Sequence, residues 1–388
     1  MAAVSPLEEF PLIPLEEVAE LRGGYAFKST DYTDKGAFVL RTLNIGADGS
    51  IGRENAVFID ENRVPEFERF NLVEWDTVFV MVGATLGKTG LVRPGDLPAL
   101  LNQNMWVIRA KRSLMNPRFL HYMFASQSKT LLGWASGAAR DFVRRDDFRK
   151  LMMPSPPLAE QRAIADVLGA LDDKIESNRR LSRTATELCD QMFLTASEID
   201  VQISKAAQVT MGSSPSGDTY NTDGVGMPFY QGVTDFGFLS PTRRMWTTAP
   251  IRVAKTGETL VSVRAPVGRL NEASEQCCIG RGVATISSRY QTTLFYALRQ
   301  ADAVWAPFEG EGTVFGSINK GDLEGARIPW IKPERISGLD SELAEVHQYV
   351  RASMRELQHL ASLRDALLPE LLSGRLRVKD AESMMENV

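Results

Sequence analysis

At 388 residues the chain is longer than one ordinary domain core, which indicates two or three domains. Its 44% hydrophobic and 24% charged residues are typical of a globular protein, and it has no run of about 18 apolar residues that could span a membrane. Residues 1–14 carry Glu8 and Glu9 where a secretory signal peptide needs positive charge. The sequence therefore predicts a cytoplasmic protein.

The formal net charge of −5 is unevenly distributed along the chain. Residues 15–157 hold 19 Lys and Arg against 17 Asp and Glu, and residues 205–330 hold 12 against 11, whereas the remainder holds 13 against 21. Two weakly basic regions thus alternate with acidic ones. Because phosphate neutralisation requires lysine and arginine, such a chain alone should bind DNA weakly.

The three cysteines, Cys189, Cys277 and Cys278, have neither a Cys-x-x-Cys spacing nor an even framework. This pattern indicates neither a zinc site nor a disulfide scaffold. The three histidines are too dispersed to form a motif. We therefore expect no metal and no cofactor.

An internal repeat of about 175 to 181 residues organises the chain. In the first copy an apolar run at 78–82 leads into a glycine-bounded turn at 83–87, and in the second copy 260–263 leads into 264–268. Further matches in the same order are the β-like segments 101–108 and 279–286, the helix-like segments 119–132 and 293–304, the loops 136–140 and 310–314, and the exits 147–154 and 322–329.

Each copy is predicted to be an α+β globular domain, because short β-rich runs are separated by Gly, Asn, Asp and Pro. After each copy, apolar residues recur at intervals of three, four and seven, which indicates a long helix that pairs as a coiled coil. These residues are Ile164, Val167, Leu168, Leu171, Ile175, Leu181, Leu188 and Met192, then Leu343, Val346, Val350, Leu357, Leu360, Leu367 and Leu371. Asn178 and Arg364 fall on the same seam, where polar residues can set the register.

The predicted order is a globular domain at 1–157, a helix at 158–200, a second globular domain at 201–332, a second helix at 333–378 and a flexible tail at 379–388. A helix from about Leu158 to Ala196 would be on the order of 60 Å long. Paired antiparallel, two such helices would form a rigid spacer. A stalk that serves only folding or oligomerisation is the alternative.

Two stretches resemble catalytic motifs but fail on spacing or context. The run GATLGKT at 83–89 has three residues between its glycines, whereas a phosphate loop needs four. The run FEGEG at 308–312 is like a methyltransferase cofactor loop, yet the chain has no Asn/Asp-Pro-Pro-aromatic motif for a flipped adenine. The sequence gives no reason to expect an enzyme.

Several stretches together resemble the specificity subunits of type I restriction-modification systems. The most distinctive are PPLAEQRAIA at 156–165, followed by LDDKIE at 171–176. Others are GYAFKS at 24–29, RTLNI at 41–45, DTVFV at 76–80, APVG at 265–268, RGVA at 281–284 and LPELLSGRL at 368–376. The second helix departs from this pattern, since it begins GLDSEL at 338–343 without the PLAEQR signature.

This resemblance implies a non-catalytic subunit with two target-recognition domains, each of which reads one half of a bipartite double-stranded DNA target. The helices would set the spacer between the halves and dock two modification (methyltransferase) subunits, to which restriction (translocase/nuclease) subunits can add. Partner subunits could then supply most phosphate contacts, and this chain the specificity.

Candidate DNA contacts are loop residues whose side chains suit base edges or phosphates. In the first copy they are Lys28, Arg41, Asn44, Lys88, Asn102, Gln103, Asn104, Arg140, Arg144 and Arg145. In the second they are Gln231, Thr234, Arg243, Arg244, Arg264, Arg269, Arg281 and Lys320. The alternatives are a free-standing DNA-binding protein, a coiled-coil scaffold, and an enzyme fused to a recognition domain.

Overall fold

The computed structural model describes residues 10–46, 48–83, 85–136, 148–308 and 316–385. The chain divides into two units. Unit 1 comprises residues 1–174 and 360–388, and unit 2 comprises residues 175–359. Both boundaries fall inside long helices, so each unit contains one globular copy and part of each helix.

Unit 1 contains nine strands and two shorter helices within its described globular part. They are β1 (Leu12–Pro14), α1 (Leu15–Val18), β2 (Ala19–Gly23), β3 (Ala37–Leu40), β4 (Phe58–Ile59), β5 (Thr77–Val80), β6 (Thr89–Leu91), β7 (Ala99–Leu101), β8 (Met105–Ala110), α2 (Pro117–Ser136) and β9 (Met152–Pro154). The strand orders of its sheets are β2-β8-β5-β6, β4-β3-β7 and β1-β9. All pairings are antiparallel except that of β3 with β7.

Strand β5 shows why the apolar run predicted at 78–82 does not alternate with polar residues. Successive side chains of a strand face opposite sides of the sheet, and here both sides are covered. Val78 and Val80 join the cluster that contains Phe38 of β3. Phe79 packs against Phe124 of α2, with ring centroids 5.6 Å apart. A strand that is buried on both faces therefore has a continuous apolar sequence.

Unit 2 begins within the first long helix, α3 (Leu158–Ala196), and ends within the second. Its globular elements are β10 (Ile199–Gln202), α4 (Ile203–Ala206), β11 (Gln208–Met211), β12 (Tyr220–Asn221), β13 (Met227–Tyr230), β14 (Trp246–Thr247), β15 (Val253–Ala254), β16 (Thr259–Ser262), β17 (Leu270–Glu272), β18 (Cys277–Ile279), β19 (Val283–Ser287), α5 (Gln291–Arg299), α6 (Asp302–Trp305), α7 (Lys320–Gly325) and β20 (Arg327–Trp330). The strand orders are β11-β19-β16-β17, β12-β14-β13-β18-β15 and β10-β20.

The two globular copies share most of their sheet arrangement, which confirms the predicted repeat, although the sheet with the parallel pair has three strands in unit 1 and five in unit 2. The four-stranded sheets match strand for strand, and each copy has one parallel pair, β3 with β7 or β13 with β18. A two-stranded antiparallel sheet, β1 with β9 or β10 with β20, joins the start and end of each copy. Each copy therefore closes on itself directly before its long helix.

The long helices are α3 and α8 (Pro333–Leu372). Proline suits the first position of α8 because the first backbone N–H groups of a helix have no partner within it. Unit 1 contains the first part of α3 and the last part of α8, whereas unit 2 contains the opposite parts. The helices are therefore antiparallel, as predicted. Asn178, expected on the seam, is buried.

The seam of α3 differs from the predicted heptad positions in its second half. Leu181 and Leu188 are 52% and 51% exposed. The buried residues are instead Ile175, Asn178, Ser182, Thr186, Cys189 and Phe193. From Ile175 to Phe193 these positions advance 18 residues in five steps, a mean of 3.6 residues per step, which is the period of a straight helix. A strict heptad drifts from that period, so it assigned two leucines to the wrong face.

The described part of the predicted flexible tail, 379–385, is helical in the structure. Gly374, with a φ of +71°, follows the end of α8, as is common where a helix ends in a left-handed residue. A further helix, α9 (Val378–Met385), follows and buries Ala381. None of the helices, in the parts of the chain that the structure describes, is long and apolar enough to cross a membrane.

Candidate nucleic-acid interface

Eight of the eighteen candidate residues lie where the parallel strand pairs end. Parallel strands end at the same edge of a sheet, so the segments that follow them lie together. We call 41–44 and 102–104 the recognition edge of unit 1, because they follow β3 and β7. The recognition edge of unit 2 is 231–235 and 280–282, which follow β13 and β18.

Backbone hydrogen bonds fix the recognition edge of unit 1. The N–H of Asn102 donates to Leu40 O at 3.1 Å, and that of Tyr25 donates to Leu101 O at 2.9 Å. A third bond runs from Met81 N to Asn104 O at 2.9 Å. Gly24 lies against the Asn102 carbonyl so closely that a Cβ there would overlap it. The backbone can make this approach only with glycine.

The recognition edge of unit 2 has the same backbone bonds at the corresponding positions. Gly280 N donates to Tyr230 O at 2.8 Å, and Ser213 N donates to Ile279 O at 2.9 Å. Val263 N donates to Gly282 O at 3.0 Å. Gly212 meets the Gly280 carbonyl as Gly24 meets that of Asn102. Gln103 and Arg281 therefore occupy equivalent positions on equivalent frames.

Three unit 1 candidates are held by their own loops. Asn44 is buried, accepts from Arg41 N at 3.1 Å and donates from Nδ2 to Glu54 O at 3.2 Å. Lys88 Nζ donates to Ile45 O at 3.0 Å. Arg41 donates to Asn55 O. These side chains stabilise the loop, and Asn44 in particular has no exposed amide.

The other described unit 1 candidates are more accessible. Lys28, Gln103 and Asn104 are exposed, and Asn104 has a φ of +67° that turns the backbone sharply. Asn102 is partly buried, with Nδ2 3.4 Å from the Tyr32 hydroxyl. Arg140, Arg144 and Arg145 lie outside the described residues.

In unit 2 the exposed candidates divide into paired and unpaired side chains. Arg243 binds Glu275 through two hydrogen bonds, which raise the pKa of the guanidinium further above its usual value. Arg244 binds Asp235, and Lys320 lies 3.4 Å from Glu324 on α7.

Arg264, Arg269 and Arg281 are exposed, and their side chains have no hydrogen bond or ion pair with the described residues. Gln231 and Thr234 are exposed on the recognition edge itself. Arg264 and Arg269 flank the turn at Gly268, whose φ is +81°. Arg269 corresponds to Lys88, because Ser262 N bonds to its carbonyl as Val80 N bonds to that of Lys88.

Sequence reasoning missed two apolar residues at the recognition edge of unit 1. Leu43 is 55% exposed within the segment 41–44. Tyr25, bridged to Asn102, is 39% exposed and packs on Phe27 and Phe70 at ring centroid distances of 5.0 Å. Neither side chain is of the charged or amide types from which most of the base contacts are predicted, although both residues lie in the motifs GYAFKS at 24–29 and RTLNI at 41–45.

Sequence reasoning also missed a buried polar joint between the globular copy and the helices of unit 1. Tyr122 of α2 donates its hydroxyl to Asp172 Oδ2 at 2.7 Å, and Arg364 Nη1 donates to Asp172 Oδ1 at 2.8 Å. Burial, then the charge of Asp172, raises the pKa of Tyr122 far above its usual value. The tyrosine therefore stays a donor. We call Tyr122, Asp172 and Arg364 the joint of unit 1.

Unit 2 has a joint at the corresponding place. The hydroxyl of Tyr296 on α5 lies 2.8 Å from Nδ1 of His347 on α8, and His347 Nε2 lies 2.8 Å from Glu272 Oε2. Arg351 pairs with the same carboxylate at 2.8 Å. Burial opposes ionisation of Glu272, yet His347 and Arg351 hold its pKa below its usual value. We call Tyr296, His347, Glu272 and Arg351 the joint of unit 2.

No group of three or more His, Cys, Asp and Glu side chains suited to a metal occurs within the described ranges. The cysteines are free and buried, and burial raises the pKa of Cys277 to about 12. The chemistry that both recognition edges offer is hydrogen bonding, positive charge and apolar contact. Such groups suit recognition of a nucleic acid.

Comparison with known proteins supports this interpretation. Residues 8–186 match the family model described as "Type I restriction modification DNA specificity domain". The putative type I restriction enzyme MjaX specificity subunit of Methanocaldococcus jannaschii is 24% identical over 404 residues, covering 96% of this chain and 95% of that protein. The MjaVIII specificity subunit of the same organism is 27% identical over 178 residues, covering 45% of this chain and 42% of that protein.

Solved structures are similar over nearly the whole chain. The S subunit of a type I restriction-modification system from M. genitalium is 16% identical, covers 96% of this chain and 99% of its own, and gives a TM-score of 0.58, which shows the shared fold. The HsdS subunit from Thermoanaerobacter tengcongensis is 27% identical, covers 95% of this chain and 98% of its own, and gives a TM-score of 0.37. Over nearly its whole length, therefore, the chain is similar to the specificity subunits of type I restriction-modification systems.

Proposed function

We propose that the chain is the sequence-specific DNA-binding subunit of a type I restriction-modification enzyme and catalyses no reaction itself. The observation that carries the proposal is the pair of recognition edges. They share their backbone hydrogen bonds but differ in the side chains they present, with Gln103 in one and Arg281 in the other. A constant frame with variable side chains suits recognition of two different base sequences.

Each unit then reads one half of a bipartite target. In unit 2 the strongest candidates are Arg264, Arg269 and Arg281, because these exposed guanidinium groups have no partner among the described residues. In unit 1 they are Gln103 and Asn104. Lys28, Gln231 and Thr234 are exposed as well. The other candidates are partly buried, serve loops, are paired with carboxylates or lie outside the described residues, and contact of all of these with DNA stays a prediction.

The helices α3 and α8 set the length of the spacer between the half-sites and bind two methyltransferase subunits. Restriction subunits add to this complex. The net charge of −5 supports a division of labour, since a chain with this charge needs partners to neutralise phosphates. Specificity would come from this chain and most of the affinity from the assembly.

Exchange of one globular copy tests the half-site assignment. The copy from β1 to β9, residues 12–154, closes on its own two-stranded sheet and can be replaced by that of a relative with another target. Mapping of methylated adenines in cells should show one half of the motif changed and the other retained. The reciprocal exchange of residues 199–330 is the matched control. A change in both halves from one exchange would contradict the two-reader proposal.

Insertion of seven residues in both helices tests the spacer role. Placed after residues 174 and 359, the insertions fall at the unit boundaries and leave the joints intact. Seven residues keep the helix phase within about 20° and add roughly 10 Å, the rise of about three base pairs. Methylation of a library with fixed half-sites and variable spacers should shift to longer spacers. An active variant with an unchanged spacer would refute this role.

A further inference from the structure

Each recognition edge contains a short turn whose last side chain is turned into the protein. The turns are the 3-10 segments Thr42–Asn44 and Val233–Asp235. Asn44 and Asp235 are only 3% and 4% exposed. Asn44 Oδ1 accepts from the N–H of Arg41 at 3.1 Å, and Asp235 Oδ2 accepts from that of Gln231 at 3.0 Å. We call these segments the clamped turns.

Further bonds hold both clamped turns in place. In unit 1, Asn44 Nδ2 donates to Glu54 O at 3.2 Å and Asn44 O accepts from Gly52 N at 2.8 Å. Lys88 Nζ donates to the next carbonyl, Ile45 O, at 3.0 Å. In unit 2, Arg244 Nη2 donates to Asp235 Oδ1 at 2.9 Å. The clamping side chains of Asn44 and Asp235 therefore contribute almost no exposed group themselves.

The residue directly before Asn44 and the one directly before Asp235 are exposed as a result. In unit 1 this residue is Leu43, which is 55% exposed, and in unit 2 it is Thr234, also exposed. A single exposed leucine is ordinary on a protein surface. Leu43, however, lies on a turn fixed on both sides and within the recognition edge, and its counterpart Thr234 also ends in a methyl group. A side chain whose backbone is already ordered loses little entropy on binding.

We propose that Leu43 is a specificity-determining residue that contacts the 5-methyl group of a thymine in the half-site of unit 1. The inference rests on the proposed function. Leucine has no hydrogen-bonding group, and in the major groove the apolar group on a base edge is the C5 methyl of thymine. Cytosine has only hydrogen at C5, so it lacks the methyl group that leucine would contact. Thr234 makes the corresponding contact in unit 2.

The test removes the methyl group from the DNA and the side chain from the protein. The chain is assembled with its methyltransferase subunits, and binding is measured by fluorescence anisotropy on the target found by methylation mapping. Each thymine of the half-site of unit 1 is replaced in turn by deoxyuridine. We expect one replacement to weaken binding of the unaltered complex about fourfold, the value of one buried methyl group.

The Leu43→Ala variant should bind the thymine and deoxyuridine duplexes equally, because the partner of the methyl group is gone. Leu114→Ala, which shortens another half-exposed leucine of unit 1 away from the recognition edge, is the matched control and should keep the fourfold difference. Since Leu43 is exposed, its truncation should leave the fold intact. A scrambled duplex provides the reference for sequence-independent binding.

The outcomes separate this inference from the proposed function. If target and scrambled duplexes bind equally, the proposed function fails and the inference fails with it. If the target binds specifically but Leu43→Ala keeps the deoxyuridine effect, or no thymine replacement matters, or the half-site contains no thymine, the inference is overturned and the proposed function stands. Loss of the methyl effect in Leu43→Ala alone supports the inference.

Discussion

The joints of unit 1 and unit 2 both give a buried tyrosine hydroxyl a hydrogen-bond partner, but the partners differ chemically. In both, a tyrosine of the domain helix contacts a buried polar residue on a long helix, Tyr122 with Asp172 and Tyr296 with His347. In unit 1 the long helix carries the carboxylate. In unit 2 the carboxylate is Glu272 on β17, and the imidazole of His347 lies between it and the tyrosine.

This difference shows which features of the joints are common to both copies of the repeat. The position of the tyrosine and the burial of its partner are the same in both copies, whereas the partner's charge is not. A buried polar group needs a hydrogen-bond partner, but any partner of suitable geometry will do. The two joints therefore share their geometry and differ in their chemistry. The recognition edges show the same division between a shared frame and different side chains.

Removal of the carboxylate from the joint of unit 1 should have the largest effect. Asp172→Ala leaves the partly buried Arg364 with only the exposed Asp365 as a partner, and leaves the Tyr122 hydroxyl without an acceptor. We expect the free energy of unfolding of unit 1 to fall by about 3 kcal/mol. Hydrogen exchange in β5 measures unit 1, and exchange in the equivalent strand β16 of unit 2 should be unaffected.

The control for this prediction is the neighbouring residue. Asp173→Ala removes a carboxylate that is half exposed, although it binds Arg93 and Arg118. Exposed ion pairs contribute at most about 1 kcal/mol. Equal losses in the two variants would show that the joint of unit 1 contributes no more than a surface pair.

Acid should destabilise unit 1 more than unit 2, by slightly less than the loss expected for Asp172→Ala. Burial lowers the pKa of His121 to about 4 from the ordinary value of 6.5, with Arg93 and Arg364 adding to the effect and Asp172 opposing it. Between these values the unfolded chain binds a proton that folded unit 1 does not. Stability is therefore complete above about pH 6.5 and falls as the pH drops towards 4. Allowing for the partial exposure of His121, we expect a loss of about 2 kcal/mol.

Urea unfolding monitored by hydrogen exchange from pH 7 to pH 4.5 measures this loss. His121→Gln should reduce it, because glutamine does not titrate. The contribution of Glu272 in unit 2 is lost only as the pH falls below about 4.5, since its pKa is lowered from that value. An acid loss that is unchanged by His121→Gln would contradict the assignment to this residue.

Local sequence patterns predicted the architecture, but they could not predict which side chains pair with each other. The helix α3 spans Leu158–Ala196 as predicted, because proline before it and apolar spacing within it are local signals. The Asp172–Arg364 pair joins residues 192 positions apart. Such a pair leaves no local signal in one sequence. The heptad likewise misplaced Leu181 and Leu188, since only packing reveals where a helix departs from the 3.5 repeat.

The candidate site shows the same limit. Loop position and residue type selected Gln103 and Arg281, which lie on the recognition edges, and Arg264, which follows Val263 beside that of unit 2. They could not show that Asn44 is buried as a clamp or that Arg243 is bound to Glu275, 32 residues away. Whether a polar side chain is available depends on its hydrogen-bond partners, which the fold decides.

In unit 2, an unpaired and a paired arginine should differ in how their removal affects DNA recognition. Arg281→Ala removes an exposed guanidinium with no partner in the described structure, and should reduce discrimination at one base position of the unit 2 half-site by about 1 to 3 kcal/mol. Arg243→Ala is the control, since its guanidinium is bound to Glu275. Competition binding with single-base variants measures both. Equal weakening on every sequence would identify Arg281 as a phosphate contact instead.

The smallest effect, and the most direct test of the comparison between joints, comes from the two tyrosines. Tyr122→Phe removes a hydrogen bond to a carboxylate, whereas Tyr296→Phe removes one to the ring nitrogen of His347. Bonds to charged groups contribute about 1.5 to 3 kcal/mol and neutral ones about 0.5 to 1.5. Both tyrosines are buried and lose the same atom, so the phenyl ring keeps the packing in each variant. We expect Tyr122→Phe to destabilise its own unit by about 1 kcal/mol more than Tyr296→Phe destabilises unit 2, measured by hydrogen exchange in β5 and β16. Equal losses would mean that the charge on the partner is immaterial, and that the joints differ in composition but not in energy.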